Sequence, residues 1–282
     1  METILCPVDF SDAGVNAVRY ANELAQRMKA QIVLYYNLYE PSVLETTLDA
    51  GASSVPLRDE QVERSVQGKL ESLKKVFEDE EQGEAVPFQI KLSHGVTREA
   101  IPETARQLWA DLIVMGHEEA EGLEEIVQHS LAAHVIKEAA CPVLIIPVKA
   151  AFQPVRKIVF ATDLTGEPFG DVSFVSRIAG LFGAEIMFLH ILTKDSPEKR
   201  EQAQSALEAI RERLAYHNAS LHVVEEAQVE EGISRFCRDH HANMLVLGFH
   251  PRSFWQHLLP GNYTQEMACH TYLPMLLVHF RR

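Results

Sequence analysis

The sequence repeats itself, and that repetition constrains the fold more than any other feature. Residues 1–37 match residues 155–191 at an offset of 154, and residues 89–148 match residues 221–280 at an offset of 132. In the first register Ile4 answers Ile158, Asp9 answers Asp163 and Ile32 answers Ile186. In the second, Leu112-Ile113-Val114-Met115-Gly116 answers Met244-Leu245-Val246-Leu247-Gly248, and Cys141-Pro142-Val143-Leu144 answers Leu273-Pro274-Met275-Leu276. The offsets differ by 22, so the first copy is expected to carry about 22 extra residues between 38 and 88. A duplicated unit means two related domains, with any site expected twice.

Each copy alternates short apolar runs with helical patterns. In the first, Thr3–Val8 reads as a strand, and Val15, Val18, Leu24, Ala25 and Met28 fall at helical spacing over 12–29. Gln31–Tyr36 is rich in β-branched and aromatic residues and reads as a second strand. A helix over 59–82, a strand at Phe88–Leu92, a helix over 97–108, a strand at Asp111–Met115, a helix over 128–139 and a last strand at Val143–Pro147 complete the copy. The second copy reads alike, its last helix over 262–271 and its last strand at 275–280. Such alternation argues for an α/β fold, a parallel sheet with helices on both faces. The domains are expected at 1–148 and 155–282, joined by the short linker Lys149–Pro154. The extra segment, roughly 40–58, reads as a long loop.

Composition removes several function classes. No run approaches 18 apolar residues, so no membrane span is expected. The N-terminus lacks a basic stretch followed by an apolar one, so no secretory signal is expected. Four cysteines without a Cys-x-x-Cys pair fit a reduced, cytoplasmic setting. The net charge of −14 is uneven: residues 1–148 hold 25 acidic against 12 basic residues, and 149–282 hold 15 against 14. An acidic first half argues against nucleic-acid binding, which needs basic patches.

In an open parallel sheet, ligands sit beyond the carboxyl ends of strands where strand order reverses. After the first strands lie Asp9 and Asp163, followed by Ser11 and Thr165. An acid there either receives a ribose hydroxyl or caps the next helix, and the residues alone leave both open. After the fourth strands lie Gly116-His-Glu-Glu-Ala-Glu-Gly122 and Gly248-Phe-His-Pro-Arg-Ser-Phe254.

The strand-ending Val-Asp and Thr-Asp, the late Val-Met-Gly and Val-Leu-Gly, and the closing Cys-Pro-Val-Leu-Ile-Ile-Pro together resemble the universal stress protein family. The resemblance runs over nearly the whole chain as two tandem domains. It implies two five-stranded parallel sheets of the adenine nucleotide alpha hydrolase-like, Rossmann-like type. It further implies that Val143–Pro147 and Met275–Phe280 pair antiparallel, making the chain an intramolecular pseudo-dimer; a further homodimer stays open. ATP-binding members carry Gly-x2-Gly-x9-Gly-(Ser/Thr). That pattern falls on Gly116, Glu119, His129 and Ser130 in the first copy, and on Gly248, Pro251, Gly261 and Asn262 in the second.

Glycines in such a loop let backbone N–H groups and a helix N-terminus approach phosphate. The first copy keeps one glycine of three and places Glu118, Glu119, Glu121, Glu124 and Glu125 before Ser130, with no Lys or Arg. Like charges at ~8 Å cost roughly 0.5–2 kcal/mol each before salt screening, enough together to erase micromolar binding. The first site, with Asp9, Gly116 and Ser130, is therefore expected not to bind ATP. The second offers His250 and Arg252 beside Gly248, with Gly261-Asn262 opening the next helix; Asp163 and Thr165 complete the set. Pro251, Phe254 and Trp255 equally suit a hydrophobic plug or contact surface. ATP or AMP in the second domain thus remains the alternative.

Scattered histidines (His129, His134, His217, His222, His240, His241) lack metal-site spacing, and no nucleophile elbow, zinc helix or phosphate-loop lysine appears. The expected function is a non-catalytic, regulatory stress-response protein with degenerate nucleotide sites, acting on a protein partner that the sequence does not identify. Acidic residues over 59–84 and 118–125 would form the partner surface.

Overall fold

The computed structural model describes residues 1–39, 60–79, 85–118, 131–164, 172–194, 196–214, 216–249 and 273–279. The first domain runs β1 (Thr3–Pro7), α1 (Asp12–Met28), β2 (Gln31–Tyr39), α2 (Glu60–Asp79), β3 (Phe88–Gly95), α3 (Thr97–Gln107), β4 (Leu112–His117), α4 (Leu131–Glu138) and β5 (Val143–Pro147). The second runs β6 (Lys157–Ala161), α5 (Val172–Phe182), β7 (Glu185–Leu192), α6 (Pro197–Arg213), β8 (Ala219–Glu225), α7 (Val229–Asp239), β9 (Met244–Phe249) and β10 (Met275–His279). The expected loop over 40–58 and helix over 262–271 lie outside the described residues.

Each domain is a parallel five-stranded sheet, and the two join into one sheet of order β3-β2-β1-β4-β5-β10-β9-β6-β7-β8. The β1, β4, β5 and β6 strands are almost wholly buried, as expected when both faces are covered by helices. Alternate residues feed two cores. Ile4, Ile32, Leu112, Leu144, Ile158 and Leu276 point to one face. Leu5, Val33, Ile113, Ile145, Val159 and Leu277 point to the other.

The seam is antiparallel: Met275 pairs with Ile145, Leu276 with Leu144 and Leu277 with Val143. Leu144 and Leu276 are equivalent residues of the repeat, so the pseudo-twofold axis passes through that pair. This is the self-complementary geometry of a symmetric dimer, built within one chain. Because the seam is antiparallel, the amino ends of the first domain's strands lie level with the carboxyl ends of the second's.

The duplication extends to unusual backbone. Left-handed residues come in equivalent pairs: Phe10 (φ 62°) with Leu164 (59°), Lys29 (54°) with Gly183 (63°), and Trp109 (50°) with His241 (53°). Lys29 ends α1, where a left-handed residue lets Ala30 N–H reach the carbonyl of Ala25 at 3.0 Å. One detail corrects the sequence alignment. Ile32 pairs with Phe88, and its equivalent Ile186 pairs with Ala219, so the third strands correspond at an offset of 131 rather than 132. The missing residue is restored before the next helix, where Gly95-Val96 is answered by Glu226-Ala227-Gln228. Gly95 supplies a φ of 121° in the shorter loop, a conformation that favours glycine. The first copy therefore carries 23 extra residues between its second and third strands.

The linker is part of the packing. Asn16 Nδ2 on α1 donates to the carbonyls of Pro147 (3.1 Å) and Ala150 (2.9 Å). Phe152 meets Tyr20 edge-on at 4.9 Å and Phe182 at 6.3 Å, with the Arg27 guanidinium 5.2 Å from both the Phe152 and Phe182 rings. Val155 is fully buried, and Asn243 Oδ1 accepts from the backbone N–H groups of Arg156 (2.9 Å) and Lys157 (3.0 Å).

Candidate functional site

Strand order reverses between β1 and β4, and the first domain's candidate residues converge there. Ser11 is the N-cap of α1: its hydroxyl accepts from Gly14 N–H at 3.1 Å. Asp9 holds Ser11 in place, its Oδ1 accepting from Ser11 N–H (3.0 Å) and Ser11 Oγ–H (2.6 Å). This carboxylate oxygen braces the cap. Asp12 in the first turn adds a favourable charge against the helix dipole.

Gly116, at the end of β4, lies against the same turn. A Cβ there would stand 2.3 Å from the backbone carbon and oxygen of Ala13 and 2.6 Å from Gly14 N. A Cβ on Gly14 would in turn meet Asp9 Oδ1 at 2.5 Å. The close approach that the structure shows at Gly116 is that of the helix backbone. Phe10, between Asp9 and Ser11, stacks on Tyr36 at 5.4 Å, with Lys69 Nζ of α2 5.5 Å from its ring. Neither Tyr36 nor Lys69 was singled out from the sequence. The available signal was the aromatic residue directly after Asp9, which must pack somewhere.

In the second domain the described site residues are Asp163 and Gly248, at the ends of the neighbouring strands β6 and β9, with Ala161 paired to Leu247. Gly248 is buried within the β9–β10 pairing. Thr162 Oγ1 accepts from Leu164 N–H at 3.1 Å, and His190 Nδ1 donates to the Thr162 carbonyl at 2.9 Å. Leu164 and His190 are the counterparts of Phe10 and Tyr36, so this mouth carries an imidazole where the first carries an aromatic stack. Ser130, Thr165, His250, Arg252, Gly261 and Asn262 lie outside the described residues.

The family model of the universal stress protein family matches residues 1–147 and again 154–279. The chain belongs to the universal stress protein family. The universal stress protein MJ0531 of Methanocaldococcus jannaschii is 33% identical over 143 residues, covering 51% of this chain and 80% of that one. A universal stress protein of Archaeoglobus fulgidus superposes with a TM-score of 0.67 at 14% identity, covering 98% of both chains. A putative universal stress protein of Pseudomonas aeruginosa superposes with a TM-score of 0.59 at 16% identity, covering 99% of this chain and 93% of the other. The last two share the tandem fold.

The chemistry at hand is modest. Among the described residues no cluster of three or more His, Cys, Asp or Glu could hold a metal, and no helix is long and apolar enough to cross a membrane. Burial pushes the Cys6 thiol far above its usual value and that of Cys237 up to about 12, which removes thiolate character from both. Outside both mouths, Glu185 accepts from Ser220 Oγ (2.7 Å), and Ser220 lies 2.9 Å from His222 Nε2. The His222 pKa is lowered by burial, and further by His240, against an opposing pull from Glu185.

Proposed function

We propose that this universal stress protein is a non-catalytic regulatory member of its family. It acts by binding a protein partner, and its nucleotide sites have degenerated. The first-domain mouth carries the argument: the Gly116 Cα faces the α1 backbone, Asp9 braces Ser11, and Phe10 is held between Tyr36 and Lys69. Glu118 follows on the strand-four loop, and the next residues in sequence add four more glutamates. Negative charge at that point repels a polyphosphate, and no Lys or Arg between Gly116 and Ser130 offsets it. The acidic residues over 59–84 and 118–125 are the surface offered to the partner. Native mass spectrometry of the freshly purified protein tests this reading. The bare chain mass is expected, and an adenine-nucleotide adduct surviving a Gly261→Glu change would overturn it.

The second reading, an ATP or AMP sensor using only the second domain, draws on Asp163 and Gly248 at one mouth. There His190 replaces the aromatic partner, and Arg252 follows in sequence. It predicts an adduct of one nucleotide per chain that disappears with Arg252→Glu or Gly261→Glu.

A further inference from the structure

An open groove of about 500 Å³ lies at the amino edge of the first domain's sheet and reaches α5 of the second. Its size falls within the ~300–1,000 Å³ of ordinary binding sites. Its walls are Arg106 in the last turn of α3 and Trp109 just after it, Asp111 and Pro142 ahead of β4 and β5, and Phe174 and Arg177 on α5. Trp109 is 87% exposed, the most exposed large apolar side chain among the described residues, and is held in the left-handed conformation at the lip.

The repeat relates the groove's walls to Arg238, His241, Asn243, Pro274, Tyr20 and Glu23. The segment 150–154 lies against part of that second set. Phe152 meets Tyr20, the counterpart of Phe174, at 4.9 Å, and Asn16 holds the carbonyl of Ala150. The segment then enters β6 through Asn243, as β1 is entered through Asp111, whose Oδ2 accepts Thr3 N–H at 2.9 Å. One scaffold therefore appears twice, once with an aromatic segment against it and once open among the described residues.

We propose that the open groove binds a short extended segment of a partner protein, with an aromatic side chain seated on Phe174 beneath Trp109 and a proline two residues later, as in Ala150-Ala151-Phe152-Gln153-Pro154. Extended peptides of this kind bring main-chain hydrogen bonds and one anchoring ring, and proline lowers the ordering cost. The groove differs from the second set in having Arg177, ion-paired to Glu2 and with its guanidinium 4.8 Å from the Phe174 ring, where Glu23 stands.

A fluorescein-labelled peptide Lys-Ala-Ala-Phe-Gln-Pro, titrated with the full-length protein and followed by anisotropy, tests the proposal. Saturable one-to-one binding is expected, weakened about tenfold or more when the peptide phenylalanine is replaced by alanine, as for an interface anchor. Trp109→Gly, which suits the left-handed backbone and leaves the fold intact, should weaken binding comparably. His241→Gly, at the matching position of the second set, should not. Absence of saturation at millimolar protein, or affinity indifferent to Trp109→Gly, would overturn the assignment. So would a dimer in sedimentation that Trp109→Gly dissociates without any peptide binding, which would give the groove to a second copy.

Discussion

Replacing Gly116 by alanine separates a glycine kept for packing from one kept for a ligand. The new methyl carbon would lie 2.3 Å from the Ala13 carbonyl, where ordinary contact begins near 3.4 Å. The first turn of α1 or the end of β4 must therefore move by about 1 Å, and both colliding groups are backbone, so no rotamer relieves the clash. α1 is anchored along its buried face by Ala17, Val18, Ala21 and Leu24, and β4 by its pairing to β5, so neither moves freely. Overpacking of this kind costs about 1–3 kcal/mol, and the rigid partners place Gly116→Ala at the upper end. At roughly 2–4 °C per kcal/mol for a domain of 150–250 residues, the expected loss is about 6–12 °C in Tm. Gly68→Ala is the control: nothing lies within 4 Å of a Cβ on Gly68, which sits exposed inside α2, so a gain of about 0.5–1 kcal/mol is expected. Thermal and urea unfolding without nucleotide measures both. A Gly116→Ala protein within about 0.5 kcal/mol of the parent would refute the packing argument.

Phe152→Ala removes the ring between Tyr20 and Phe182 and should cost about 3 kcal/mol by urea unfolding, with both domains losing stability together; unfolding of one domain alone would contradict the shared core. His222 has a pKa lowered by burial, so the folded state favours its neutral form. Its stabilising contribution is present above the unfolded pKa of about 6.5 and falls as pH drops through that value towards the folded one. His222→Gln should therefore flatten the decline in Tm between pH 7 and pH 5, and an unchanged slope would count against this origin. Cys6 and Cys237, buried and with raised pKa values, should resist an aromatic disulfide reagent until the protein is unfolded; rapid modification of either in the native state would contradict their burial.

The architecture was largely legible because its signals are local. Near-continuous apolar strands such as Leu144-Ile145-Ile146 announce a sheet buried on both faces, and the alternation with helical patterns announces parallel order. Repetition then supplied the second domain. What escaped was set by contacts between distant residues. The role of Gly116 depends on Ala13, more than a hundred residues earlier, and no spacing rule links them. The one-residue shift between the third strands was hidden because an edge strand has a weak pattern on its outer side and only the pairing with β2 and β7 fixes its register. Phe152 read as linker because six residues between domains carry no periodicity, yet it is the aromatic wedge between α1 and α5. Asp9 was ambiguous for a physical reason: the same carboxylate can serve a sugar hydroxyl or a serine, and the bonds of Oδ1 to Ser11 show only in the folded chain.

The claim that the phosphate sites have degenerated is tested most directly by calorimetric titration of the purified full-length protein with ATP and then AMP. No saturable heat is predicted at nucleotide concentrations where a micromolar site, worth about 8 kcal/mol, would fill. Two equivalents of nucleotide bound per chain would contradict the account outright, because one of them would have to occupy the first-domain mouth at Asp9, Phe10 and Gly116.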